Sequence, residues 1–171
     1  MSPTVVLISG ANRGIGKGLL AIYLAKPDHT VIAFNRNPEH ATSKGSEDLP
    51  TGAGSKLIVV KADAAVETDA AEAVAQLTAQ GIDHIDTVIA NAGIAAVFPK
   101  VSEVRIADIR THMEINVFGV VSLYQATLSL LRKSERPKWI TIGSSAGWIE
   151  VRLFALCDYM ITLLTLRLCQ L

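Results

Sequence analysis

The sequence predicts an α/β fold, with a parallel sheet held between layers of helices. Three observations carry that reading. Thr4 to Ile8, T-V-V-L-I, is a short apolar run rich in β-branched residues, as in a strand covered on both faces. Gly10, Gly14 and Gly16 follow at once, and Ile15, Leu19, Leu20, Tyr23 and Leu24 then recur at helical spacing. Further short apolar runs alternate with helical stretches along the rest of the chain, which is the order of βα units. The 171 residues are enough for one domain with a real core.

The first strand, glycine turn and helix set the chemistry. Glycines let the backbone turn sharply and approach a pyrophosphate, and the new helix aims its unpaired N–H groups at that charge. The loop Gly10 to Gly16, with Asn12, Arg13 and Ile15 between its glycines, is therefore read as a cradle for a mononucleotide or dinucleotide. The competing reading is a tight turn with close packing. No G-K-[ST] closes the loop, so it is not a P-loop.

The second strand, Thr30 to Asn35, ends without the acid that usually holds the ribose hydroxyls of NAD. Asn35, Arg36 and Asn37 stand there instead. A guanidinium pairs with a 2′-phosphate where a carboxylate would repel it. Arg36, with Arg13 in the glycine loop, favours NADP as cofactor; otherwise Arg36 is a solvated loop residue.

Residues 38–55 are polar and carry Gly45, Pro50, Gly52 and Gly54, so they read as a short helix and a surface loop. Lys56 to Lys61 is the third strand, with Asp63 just beyond it. Val66 to Gln80 reads as an amphipathic helix, with Val66, Ala70, Val74 and Leu77 on one face. Ile85 to Asn91 is the fourth strand and runs into Asn91-Ala92-Gly93. Ala107 to Leu131 reads as one long helix whose circumference is mostly apolar, hence buried on two sides. Lys138 to Gly143 is the fifth strand, followed by Ser144-Ser145-Ala146-Gly147.

Composition excludes several partner classes. Half the residues are hydrophobic and the formal net charge is zero, so a disordered chain, nucleic acid and anionic membrane are poor expectations. Cys157 and Cys169 have neither metal spacing nor a disulfide framework, which fits a reducing cytoplasm. The four histidines form no metal motif and read as ordinary surface or core residues, so no metal is expected. The first apolar run is a strand rather than a signal peptide. Arg152, Asp158 and Arg167 interrupt the apolar stretch 151–171 and argue against a membrane span there.

Ser9 with G-x-x-x-G-x-G, Asp63, N-A-G, Asn116 in E-I-N-V-F-G and Ser144 to Gly147 occur in one order. Together they resemble the short-chain dehydrogenase/reductase family, with Ser9 where Thr is usual, over about five-sixths of the chain. The acid-poor second-strand region, E-T-D-A and A-N-A-G-I are similar to fungal carbonyl reductases of the norsolorinic acid ketoreductase type.

The resemblance implies a Rossmann-type three-layer sandwich with sheet order 3-2-1-4-5. It implies that Asp63 takes the adenine amino group, unless it caps a helix. Asn91, Ala92 and Gly93 would close the cofactor floor and steady the sheet. Asn116 would hold a relay water and kink its helix, or else make a structural hydrogen bond. Ser144 would polarise a substrate carbonyl, with Ser145 as the alternative. The activity implied is hydride transfer between NADPH and a carbonyl of a small, polyketide-like substrate, in a homo-oligomer packed through the long helix.

The family's Tyr and the Lys four residues beyond it have no match in the last stretch. Cys157 stands where the Tyr is expected, and Tyr159 is followed by Leu163. Residues 1–150 thus read as an NADP-binding domain. Residues 151–171 read as an atypical apolar segment, ending a chain truncated relative to the family, with little or no reductase activity and poor solubility alone.

Overall fold

The computed structural model describes residues 2–143. Strands β1 (Thr4–Ser9), β2 (His29–Asn35), β3 (Lys56–Lys61), β4 (Thr87–Ala90) and β5 (Lys138–Thr141) form one sheet of order β3-β2-β1-β4-β5. Every pairing is parallel; Leu7 of β1 lies between Ile32 of β2 and Val88 of β4. This is the expected order, with β1 at the centre.

Between the strands run α1 (Gly14–Leu24), the short α2 (Ala41–Lys44), α3 (Asp69–Ala79), α4 (Ile106–Met113) and α5 (Gly119–Leu131). Strand residues alternate between two cores. Val6, Ile8, Val31, Ala33 and Ile89 pack with Leu20 and Leu24 of α1. Val5, Leu7, Ile32, Phe34, Val60 and Val88 pack with α3 and α5, through Val74, Leu77, Leu123 and Leu130 among others. The central strands β2, β1 and β4 are therefore buried on both faces, which is why they read as continuous apolar runs.

The fourth and fifth strands are shorter than read, Thr87–Ala90 against Ile85–Asn91 and Lys138–Thr141 against Lys138–Gly143, and two helices differ more. The third helix begins at Asp69 rather than Val66, and Val66 is exposed. The reason is Asp69 itself. Its carboxylate turns back to accept the Asp63 N–H at 2.8 Å and to meet Lys61 Nζ at 2.8 Å, so residues 63–69 are held in successive turns. The long helix is interrupted by one π-helical turn, Glu114–Phe118. By length and composition Ile106–Leu131 would suffice to cross a membrane. Its buried face nevertheless joins the sheet core, while Ile106 and Phe118 stand exposed on the other side.

Candidate functional site

A parallel sheet opens a crevice beyond the carboxyl ends of its strands, where the order reverses around β1. A cleft of about 760 Å³ lies there. Gly10, Asn12, Arg13, Gly14 and Ile15 line it from the β1–α1 loop, Arg36 from the end of β2, Asp63 from the end of β3, and Asn91, Ala92 and Gly93 from the end of β4. The structure thus brings ten of the expected nucleotide residues to one cavity. Gly16 sits buried behind them, and Ser144 lies outside the described residues.

Gly16 explains how the loop closes. A Cβ built there would overlap the Gly10 carbonyl oxygen and come within 2.6 Å of Asn91 Nδ2. Only a residue without a side chain lets α1 start this close to the strand end. The helix then begins at Gly14 with neither a side-chain cap nor an acid in its first turn, so its first N–H groups face the cleft uncompensated.

The ends of β1 and β4 are stitched together. Ser9 Oγ accepts the N–H groups of Asn91 and Ala92, both at 3.0 Å. Asn91 Nδ2 donates in return to the carbonyls of Ser9 at 3.0 Å and Gly10 at 3.1 Å. The N-A-G turn is thereby fixed against the glycine loop.

Asp63 faces the cleft and also caps its own turn, accepting the Ala65 N–H at 3.0 Å on Oδ1. Beneath it, the Lys61 ammonium holds the buried Asp69 carboxyl below the usual carboxylate range, and Asp69 raises Lys61 in turn. This pair fixes the backbone from which Asp63 projects.

Asn116 lies in the π turn and is buried. Its Oδ1 accepts the Ile94 N–H at 2.8 Å and its Nδ2 donates to the Ile94 carbonyl at 2.9 Å. The side chain therefore makes the structural bond that was one of its two readings, and the helix deformation falls at this residue. Four residues earlier, His112 Nε2 accepts the Ala96 N–H at 3.2 Å while Nδ1 donates to the Asp108 carbonyl at 2.7 Å. Two side chains one helical turn apart thus hold the segment that leaves the N-A-G turn.

Charge is distributed unevenly along the cleft. Arg36, Asn37, His40 and Thr42 line it from the end of β2 to α2 and Arg13 lines it from the glycine loop, both arginines being exposed. Glu39 on that connection is paired with Lys44 at 2.9 Å, which lowers the Glu39 pKa and raises that of Lys44. That connection can therefore take a dianion without meeting an uncompensated carboxylate. His40, Thr42 and His112 were not singled out by sequence; the signal available was only their spacing, four and six residues after Arg36 and four before Asn116.

Known proteins share this arrangement of strands and loop. Residues 4–159 match the family model described as short chain dehydrogenase. The chain is 49% identical over 149 residues to a norsolorinic acid ketoreductase from Dothistroma septosporum, covering 85% of this chain and 55% of that protein. It is 43% identical to a short-chain dehydrogenase from Neurospora crassa, covering 85% and 58%. The structure is similar to NADPH-bound carbonyl reductase from chicken fatty liver, with TM-score 0.78 and 25% identity over 91% of this chain and 62% of that one. The chain spans about half the length of the curated relatives it matches.

Proposed function

Because the chain belongs to the short-chain dehydrogenase family, we propose that residues 2–143 form the NADP-binding part of a ketoreductase. What supports the cofactor assignment is that two guanidinium groups, Arg13 and Arg36, line one cleft, with no acid at the end of β2. The cleft fits such a group: nothing lies within 4 Å of a Cβ added at Gly14 on the cleft wall, and α1 begins there with neither a side-chain cap nor an acid to take its first N–H groups. Gly10, Asn12, Gly14 and Ile15 would hold the pyrophosphate and its near ribose. Asp63, Asn91, Ala92 and Gly93 would frame the adenosine. Arg13 and Arg36 would pair with the 2′-phosphate.

When bound, NADPH supplies a hydride to a carbonyl, and the chain's residues do the rest. Asn116 holds Ile94 and so fixes the segment leaving the cleft floor. Ser144 is assigned to orient the carbonyl oxygen. The named relatives that act on norsolorinic acid support a small aromatic, polyketide-like ketone as substrate. Self-association through the exposed side of α4 and the π turn, where Ile106 and Phe118 lie, belongs to the same reading.

The cofactor assignment is tested by titrating the chain with NADPH and NADH. NADPH is expected to bind more tightly, and Arg36→Ala to weaken NADPH by roughly tenfold while leaving NADH nearly unchanged, the worth of one charged hydrogen-bonded pair. Equal affinity for the two nucleotides in the unmodified chain would refute it. A second reading, binding without turnover, is favoured by the missing Tyr-Lys pair: Cys157 stands where the Tyr is expected, and the nearby Tyr159 is followed four residues on by Leu163 rather than Lys. Consumption of NADPH with an aromatic ketone separates the two.

A further inference from the structure

We propose that His40 is a third ligand for the adenosine 2′-phosphate, donating from Nε2, with its ring orientation set from the glycine loop. The proposal rests on the NADP reading of the cleft. His40 lines the same cleft as Arg13 and Arg36. Its Nδ1 accepts the Thr42 N–H at 3.3 Å and lies 2.9 Å from Thr42 Oγ1. Thr42 Oγ1 in turn accepts from Asn12 Nδ2 at 2.8 Å, so the hydroxyl proton is free to point at His40. A ring nitrogen that accepts from both an N–H and an O–H carries no proton, and the bonding pattern therefore assigns the imidazole proton to Nε2.

Among the described residues Nε2 has no partner. An imidazole N–H on the rim of a cleft that already holds two guanidinium groups suits a phosphomonoester, which offers several acceptor oxygens. The charged groups around it agree. Arg36 lies on the same connection, Arg13 lines the same cleft from the glycine loop, and the adjacent Glu39 is paired with Lys44 at 2.9 Å. The relay also gives Asn12 a defined role, since its amide ties the pyrophosphate loop to the 2′-phosphate end through Thr42.

The test is calorimetric titration of the chain with 2′,5′-ADP and with 5′-ADP, for the unmodified protein, His40→Asn and His40→Gln. Asn keeps an acceptor at the Nδ1 position but has no donor at the Nε2 end; Gln reaches the Nε2 end. His40→Asn is expected to weaken 2′,5′-ADP by about tenfold and to leave 5′-ADP within about twofold, the effect of one hydrogen bond to a charged group. His40→Gln is expected to recover most of the loss. If the unmodified chain prefers 2′,5′-ADP but His40→Asn binds it unchanged, His40 has no such role and the NADP reading stands. Equal losses for both nucleotides would make His40 a purely structural cap and overturn the proposal. If the unmodified chain does not distinguish the two nucleotides, the NADP reading fails and the proposal with it.

Discussion

Ser9 and Asn91 bind each other reciprocally across the centre of the sheet. The Ser9 hydroxyl takes the Asn91 N–H at 3.0 Å, and the Asn91 amide returns a bond to the Ser9 carbonyl at 3.0 Å. The floor of the cleft is therefore a property of two strand ends, β1 and β4, that are 82 residues apart in sequence. Removing the Ser9 hydroxyl strands two N–H groups, those of Asn91 and Ala92. Ser9→Ala is expected to lower stability by about 1–3 kcal/mol in equilibrium denaturation. It is also expected to weaken nucleotide binding, because the glycine loop loses its anchor. Unchanged denaturation would contradict the anchoring role.

Gly14 and Gly16 should respond differently to alanine. Gly14 has φ +55° but nothing within 4 Å of an added Cβ, so its cost is backbone strain of about 1 kcal/mol. At Gly16 the added Cβ meets backbone of Gly10 and the Asn91 amide, which cannot retreat without breaking the β1–β4 stitching. Gly16→Ala is expected to cost about 2–3 kcal/mol and to remove NADPH binding. Denaturation midpoints for the two variants give the comparison, and equal costs would show the loop to be looser than its close contacts indicate.

Asp69 makes stability depend on acid pH. Its folded pKa is lowered, first by the hydrogen bond from Lys61, so its contribution is fully present above the unfolded carboxylate value of about 3.9. That contribution is lost as pH falls through the lower folded value. Asp69→Asn is expected to reduce stability at neutral pH and to flatten the acid limb of the stability curve. A variant whose acid limb matches the parent's would contradict the assignment.

Asn116 and Ile94 give a prediction on the opposite wall. Asn116→Leu preserves bulk but leaves both Ile94 backbone groups without their partner. A loss of about 1–3 kcal/mol is expected, together with faster amide hydrogen exchange in residues 94–96. Exchange there as slow as in the parent would show that His112 alone holds the segment.

The legible and illegible parts of this chain divide along physical lines. Strands covered on both faces are continuous apolar runs, so β1 and β2 could be placed to within a residue, as could the half-buried β3 between its lysines, and the order around β1 followed from the resemblance. The glycine loop was legible because its spacing reports a close approach that only Gly16 permits. What could not be read was where polar side chains spend their hydrogen bonds. Asp69 opens its helix after a series of turns, instead of lying three residues into it, because Lys61, eight positions earlier, pairs with it. Asn12 reads as a loop residue at the cofactor, yet its amide is committed to Thr42 across 30 residues. Such partners depend on tertiary proximity, which hydrophobic period does not encode.

That the cleft is a nucleotide site selective for a 2′-phosphate is tested most directly by fluorescence titration of the unmodified chain with NADPH. Saturable binding of one NADPH per chain is expected, reversed by NADP⁺ and by 2′,5′-ADP but poorly by 5′-ADP. Absence of saturable binding, or equal displacement by the two adenosine phosphates, would contradict it.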